Sequence, residues 1–430
     1  MFRRIGGLLA LLLLAGIAEA QPKREVVAKA TSPAASFAAR TPASSTFEIL
    51  PSNTGLFAGD LLVALPGASL ESKDGSVAVT VFADYDARSP LPILETALTL
   101  GEVEKDADLA FTLDRGRVDI TNKKPRGAAV VNLRFWGQSW LITLDEPGTR
   151  VAVELCGRWP AGSAFRPNNP KSKEKPAEPL ATLVLLVVKG SCKVTSGDTT
   201  ISMEAPPGPA LLDWDSVAGA KAQPQKLAAI PAWVDPNSDL SDRGKKLAAA
   251  IEKFRQARAE KPAEALKQFL ESTDPIEQHV ALVMLGALDE LPLLGQTLVA
   301  AKSMEEWDFG ITVLRHWLGR CPGQEQKLYE ILTSSRGYTT AQAKIVLKLL
   351  FGFSPAELRR PETYQVLIDY LGHEKPGIRN LAAWHLVRLV PQGKEIPYKP
   401  TGTAVDARKA QAAWKKLIPE GELPPPPPMK

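Results

Sequence analysis

The chain has 430 residues, of which 44% are hydrophobic and 23% are charged, as is usual for globular proteins. This length is sufficient for two or three domains, each with its own core. The formal net charge is +4, and the interspersed charges exclude the basic patch that is typical of nucleic-acid binding. Three cysteines are too few for a small scaffold held together by disulfides.

The first twenty residues predict a secretion signal. A positive pair, Arg3-Arg4, precedes an apolar run from Leu8 to Ile17, and the motif Ala18-Glu19-Ala20 offers a cleavage site before Gln21. A membrane-spanning helix needs about 20 apolar residues, so this run is too short to span a bilayer. We therefore expect a periplasmic or extracellular protein, with membrane contact only if the signal remains uncleaved.

The next segments read as a linker followed by a β domain. Residues 21–45 are rich in Ala, Ser, Thr, Pro and Lys and lack a periodic apolar pattern, which predicts a flexible linker. Val77, Val79 and Val81 then alternate with other residues at the period of a strand, and Gly- and Pro-containing turns follow at short intervals. This pattern predicts an all-β sandwich or barrel-like domain over residues 46–217.

The second half of the chain has a helical pattern. Residues 218–238 are rich in Ala, Pro and Gln and predict an interdomain linker. An all-α domain is predicted over residues 239–418, and residues 419–430 form a Pro-rich tail. Pro262 and Pro275 suit the first position of a helix. The predicted helices cover residues 245–259, a stretch beginning at 262, 276–288, 305–318, 324–333, 340–350, 361–371, 376–389 and 406–417.

Part of this helical region resembles a HEAT repeat. Residues 274–281 parallel residues 375–382, and in the second stretch Pro376, Arg379 and the small pair Ala382-Ala383 match the Pro, Arg and small-residue contact of the family's second helix. The resemblance implies an α-solenoid of stacked antiparallel helix pairs. Its concave face would suit a protein or peptide ligand.

The β region resembles the extracytoplasmic domain of FecR-type proteins. Gly59-Asp60 precedes a strand-like pair of leucines, and the turns at Asp114-Arg115-Gly116 and Pro147-Gly148 match the repeated Gly-turn strands of that family. Known members signal across an envelope to a sigma-factor regulator. Here a secretion signal replaces the family's cytoplasmic segment and membrane span, so the resemblance implies the domain fold, and signalling is an alternative function.

Five residues are candidates for a disulfide bond or for an interface. Cys156 and Cys192 both lie in the β region, where either a disulfide or two small buried thiols would fit an oxidising compartment. Trp159, Trp214 and Trp233 lie near the predicted domain edges and are candidates for interface contacts.

No catalytic or phosphate-binding motif is complete, and all four histidines lie in the helical half. We therefore expect a non-catalytic binding or scaffolding protein of the cell envelope, with an unidentified protein or peptide partner and without cofactor, metal or nucleic acid. One alternative is a carbohydrate-binding or hydrolytic protein that uses the β domain, in which Trp136 and Trp140 would be exposed on a concave surface. The other is a FecR-like envelope sensor.

Overall fold

A computed structural model describes residues 24–91, 93, 95–168, 177–221, 223–235, 237–301 and 304–426. The predicted secretion signal, its cleavage site and Gln21 lie outside the described residues, as do the last four residues of the Pro-rich tail. A β region over residues 26–226 is followed by a helical region over residues 242–417, which confirms the predicted β-then-α layout. Within the described ranges, no helix combines the length and apolarity needed to cross a membrane.

The strands of the described β region are short, apart from one of 14 residues. They are β1 Val26–Ala30, β2 Phe37–Arg40, β3 Glu48–Ile49, β4 Gly55–Phe57, β5 Leu61–Ala64, β6 Ser69–Ser72, β7 Val77–Val81, β8 Thr96–Leu100, β9 Leu109–Asn122, β10 Ala129–Phe135, β11 Gln138–Leu144, β12 Arg150–Arg158, β13 Leu180–Lys189, β14 Ser191–Ser196, β15 Thr199–Glu204, β16 Pro209–Asp215, β17 Gly219–Ala220 and β18 Gln225–Lys226.

Two sheets share the long strand β9. Its first part pairs with β8 and β10, and its second part pairs with β7 and β12. One sheet follows the order β4-β1-β6-β7-β9-β12-β13-β16, and the other follows β3-β2-β5-β8-β9-β10-β11-β14-β15. The strand changes sheet at Gly116, where φ is +105° and a side chain would collide with Thr96. Side chains from both sheets then fill one apolar core.

The predicted linker over residues 21–45 is wrong, because this stretch contains β1 and β2. Strand β1 pairs with β4 and β6, and β2 pairs with β3 and β5. Ala28 and Ala38 are fully buried in these strands. Small alanines fit the crowded sheet interior but carry little of the bulky apolar alternation by which a strand is recognised.

The segment predicted as an interdomain linker, residues 218–238, contributes two short strands to the β region. Strands β17 and β18 pair with β16 and extend the first sheet. Trp233 then stacks on Phe82 with a centroid distance of 6.1 Å, and Val234 is buried beside Leu186. The segment therefore runs along the β region and is attached to it by backbone pairing and by apolar contacts.

The helical region contains the predicted helices, with ends shifted by a few residues, and two further helices that were not predicted. Its described helices are α1 Asp242–Glu260, α2 Pro262–Leu270, α3 Pro275–Ala287, α4 Leu291–Ala300, α5 Met304–Gly319, α6 Gln324–Glu330, α7 Thr340–Phe351, α8 Pro355–Leu358, α9 Pro361–Tyr370, α10 Pro376–Leu389 and α11 Ala404–Leu417, with a π-helical turn Ile331–Ser335 and a 3-10 turn Pro391–Gly393. Prolines occupy the first turn of several helices, where the missing N–H costs nothing.

The helices pack directly on the β region. Val63, Leu65 and Ala97 of the second sheet share an apolar cluster with Phe254 of α1 and Phe269 of α2. Trp159, the residue that follows β12, belongs to the main apolar core of the helical region. The two regions are therefore joined by common cores. Ala281 is buried in the first of these clusters, and Ala382 and Ala383 are buried in the main helical core.

Candidate functional site

A cavity of about 620 Å³ lies within the helical region, among α4, α5, α7, α10 and the π-helical turn. Most of its lining is apolar and includes Leu298, Ile311, Leu314, Leu332 and Val346. Its volume falls within the range of about 300–1,000 Å³ that is usual for small-molecule sites. The cavity therefore has the size and the surface of a site for an apolar ligand.

The π-helical turn forms one wall of this cavity. Ile331 and Leu332 point to the cavity from the turn, whose wider hydrogen-bond spacing interrupts the helix that begins at α6. The Thr333 hydroxyl donates to the carbonyl of Tyr329 at 2.9 Å, and the amide of Tyr338 donates to the carbonyl of Leu332 at 3.0 Å. Single π turns of this kind occur frequently at functional sites.

Two buried polar atoms in the cavity wall have no hydrogen-bond partner among the described residues. They are Nε1 of Trp307, a residue with 7% exposure, and Oδ1 of Asn380, a residue with 5% exposure. The other amide atom of Asn380, Nδ2, donates to the carbonyl of Leu298 at 3.1 Å, and this contact fixes the orientation of the amide. An unpaired buried donor or acceptor costs about 1–3 kcal/mol, so a polar partner would stabilise both atoms.

A second group of polar residues joins the β region to the helices. Arg115 Nε donates to Glu95 Oε1 at 2.6 Å, and the same arginine donates to the carbonyl of Ala287 at 3.2 Å. On the helical side, Arg320 pairs with Asp289 and donates to the carbonyl of Gly286 at 3.2 Å. Glu95, Arg115 and Arg320 are buried but paired, as charged groups inside a protein must be, and Asp289 is partly exposed.

His316 extends this buried network. Its Nε2 lies 3.2 Å from Glu95 Oε2 without the alignment of a hydrogen bond, and the Cys156 thiol lies beside the ring. Burial alone would lower the pKa of His316, but Glu95 and Cys156 outweigh it and raise the pKa to about 9. The imidazole is therefore charged at neutral pH and forms an ion pair across the junction of the two regions.

Of the two alternatives for Cys156 and Cys192, the structure has two free thiols and not a disulfide. Cys156 lies on β12 and Cys192 on β14, and these strands belong to different sheets. Burial, reinforced by Asp145, raises the pKa of the Cys192 thiol to about 12. Two small buried thiols, the other reading of the sequence, describe both residues.

The three candidate tryptophans have different positions. Trp159 forms an interface within the protein, because its ring stacks on Phe351 of α7 at 4.5 Å and its Nε1 donates to the carbonyl of Leu318 at 3.1 Å. Trp214 is only 5% exposed and packs against Phe135 in the β core, so its prediction as an interface residue is wrong. Trp233 is half-buried against the β region.

The features expected of a sugar site are not present in the described β region. Trp140 is buried in the core against Phe135, so it cannot form an exposed platform with Trp136. Asp84 and Asp86, an acidic pair two residues apart in the sequence, are used by backbone amides: Asp84 accepts from the amide of Ser89 at 2.6 Å, and Asp86 accepts from that of Ser241 at 3.0 Å. Across the part of the chain that the structure describes, no group of three His, Cys, Asp or Glu side chains could hold a metal.

Sequence reasoning missed the residues that make the helical cavity and the buried junction. Asn380 carries a recognisable signal, since a polar amide lies on the otherwise apolar face of α10. Comparison with known protein families, with curated proteins and with solved structures finds no match for this chain. A functional assignment therefore rests on the geometry of the cavity and on the sequence.

Proposed function

We propose that the protein is an exported, non-catalytic binding protein that holds a small apolar ligand in the cavity of its helical region. The observation that carries the proposal is the apolar cavity of about 620 Å³, whose lining includes Trp307 and Asn380, two residues that each carry an unpaired buried polar atom. Binding sites of this kind bury most of the ligand's surface against apolar walls and use a few polar atoms for orientation.

The two polar atoms define the ligand's head group. Nε1 of Trp307 is a donor only, and Oδ1 of Asn380 is an acceptor only. Leu298 uses one of the two N–H groups of Asn380 Nδ2, and a head group that pairs with Trp307 Nε1 and Asn380 Oδ1 accepts one hydrogen bond and donates another. A neutral hydroxyl does both, so we infer an alcohol with an apolar body.

The proposal also includes export from the cytoplasm and the two family resemblances. Export is inferred from the first twenty residues, and the FecR-like and HEAT-like relationships are inferred from the sequence motifs. The local contacts of Arg379 support the HEAT-like part of the proposal. Its side chain donates to the carbonyl of His373 at 2.7 Å and to that of Pro400 at 2.5 Å, and it therefore ties α10 to the segments on either side.

A protein partner is the second candidate. Leu293 and Val299 of α4 are 36% and 37% exposed, and they lie on the helix that forms one wall of the cavity. An apolar segment of a partner would use both side chains, whereas a small molecule in the cavity would contact Val299 of the lining but not Leu293. A serine substitution at Leu293 therefore separates the two candidates.

The test is calorimetric titration of the protein with straight-chain alcohols from hexanol to decanol. Affinity should rise with chain length, because each additional buried methylene contributes about 0.8 kcal/mol. Trp307→Phe keeps an aromatic ring but removes the donor, and Asn380→Leu keeps most of the volume but removes the acceptor. Each variant should bind several-fold more weakly, which corresponds to about 0.5–1.5 kcal/mol for one hydrogen bond.

Trp136→Phe is the matched control, since Trp136 is half-buried in the β region and lies outside the cavity lining. It should bind the alcohols as the unchanged protein does. Failure of every alcohol to bind would refute the small-ligand proposal. Equal losses in the control and in Trp307→Phe would show that the cavity is not the binding site.

A further inference from the structure

A second cavity, of about 300 Å³, lies at the junction of the β region and the helices. Gly157, Arg158 and Trp159 line it from the end of β12, and the other walls come from α5, α7 and α10. The apolar cavity described above uses Ile311 and Leu314 of α5, whereas this one uses other faces of the same helix. The two cavities are therefore separate sites.

The lining of this cavity is strongly cationic. Its charged members are Arg158, Arg315, His316 and Arg388, and no carboxylate lines it. His316 is charged through its contact with Glu95, and Arg388 pairs with Asp308 at 2.5 Å. Among the described residues, Arg158 and Arg315 form no ion pair.

Arg315 is the residue whose environment most requires an anion. Burial, together with the nearby charge of Arg388, lowers its pKa. Its guanidinium carbon lies 5.5 Å from the ring centre of Trp384, and that of Arg388 lies 4.8 Å from the same centre. The aromatic ring offsets part of the charge, but two guanidinium groups on one ring still repel each other.

The remaining walls are flat and apolar. Trp159, Phe351 and Trp384 supply aromatic surface beside the arginines, and Leu350 completes the apolar lining. A planar guanidinium can bind a carboxylate or a phosphate through two parallel hydrogen bonds. The combination suits a ligand with a compact oxyanion on an aromatic body.

We propose that this junction cavity binds a small aromatic oxyanion, with Arg315 and Arg158 as the groups that bind the anionic head. Because Arg158 belongs to the β region and Arg315 to α5, such a ligand bridges the two regions. The proposal is independent of the apolar ligand, since neither arginine lines the apolar cavity.

The experiment is calorimetric titration of the full chain with benzoate, phenyl phosphate and benzamide. Benzoate and phenyl phosphate separate a carboxylate site from a phosphate site, and benzamide is the uncharged analogue. We expect at least one anion to bind and benzamide to show no binding. Arg315→Gln should weaken the binding of the anion by about tenfold or more, as expected for loss of a charge-assisted hydrogen bond.

Arg126→Gln is the matched control, because Arg126 is exposed between β9 and β10 and its loss changes the net charge equally. Its affinity for the anion should be unchanged. Arg158→Gln, at an exposed position, provides a second test if Arg315→Gln does not fold. The proposal is overturned if neither anion binds at millimolar concentration, if benzamide binds equally well, or if Arg126→Gln loses as much affinity as the cavity variants.

Discussion

A close backbone contact between the two regions predicts a large effect of one added methyl group. Gly319 ends α5, and a Cβ at this position would lie 2.5 Å from Arg158 Cα and 2.6 Å from the carbonyl oxygen of Gly157. Carbon atoms in contact normally lie about 3.5–4.0 Å apart. In Gly319→Ala, β12 and α5 would therefore have to separate by about 1 Å.

The expected cost follows from two opposing terms. Overpacking of a filled interior costs about 1–3 kcal/mol, and here the obstacle is backbone, which cannot move aside as a side chain can. Alanine gains up to about 1 kcal/mol over glycine in a helix interior, and less at the last helical residue. We therefore expect Gly319→Ala to lower the free energy of unfolding by about 2 kcal/mol.

Urea unfolding, followed by circular dichroism and by tryptophan fluorescence, measures this loss. Gly295→Ala is the matched control, because a Cβ on this exposed residue of α4 meets no atom within 4 Å. That variant should be stabilised by about 0.5–1 kcal/mol. If Gly319→Ala unfolds at the same urea concentration as the unchanged protein, the assigned contact between α5 and β12 is wrong.

Three further predictions concern burial and charge. Ala382→Glu should cost at least about 3 kcal/mol in thermal unfolding, since it buries an unpaired charge, and an unchanged melting temperature would contradict this. A thiol reagent should label Cys321 in the folded protein and label Cys156 and Cys192 only after denaturation, because only Cys321 is exposed; a single reactive thiol in denaturant would instead indicate a disulfide. Glu95 and Cys156 outweigh the effect of burial and raise the pKa of His316 to about 9. The charged His316 therefore stabilises the fold fully below its pKa in the unfolded chain, about 6.5, and this stabilisation is lost as the pH rises through 9. His316→Gln should remove that loss from unfolding curves measured between pH 7 and 10, and an unchanged pH dependence would count against the ion pair.

The helices could be predicted because their signals are local. Proline at the first position of α2, α3, α9 and α10, together with an apolar stripe, fixes the start and the buried face within a few residues. The short helices α4 and α8 were not predicted. Pro292 lies in the first turn of α4, but the helix is apolar around most of its circumference and so has no clear helical period.

The β region was harder to delimit for the opposite reason. Strands β1 and β2 are rich in small residues, and their place in the two sheets depends on partners such as β4, β5 and β6, which lie further along the chain. An alanine in a strand that pairs on both sides is buried as completely as a valine would be. The sequence pattern of such an alanine-rich strand, however, does not differ from that of a linker. The inclusion of β1 and β2 in the sheets therefore depends on pairing with strands further along the chain, which composition does not reveal.

The junction was not predictable for a related reason. The residues that meet there are distant in the sequence, and the role of each is ambiguous when it is considered alone. Glu95 precedes a strand and His316 lies on a helix, and each would be an ordinary surface residue without the other. Gly157 and Gly319 likewise carry no local turn signal. They are glycines because two backbones meet there, and that contact brings the arginines of the junction cavity together. The junction cavity therefore depends on the docking of the two regions, and neither region could form it alone.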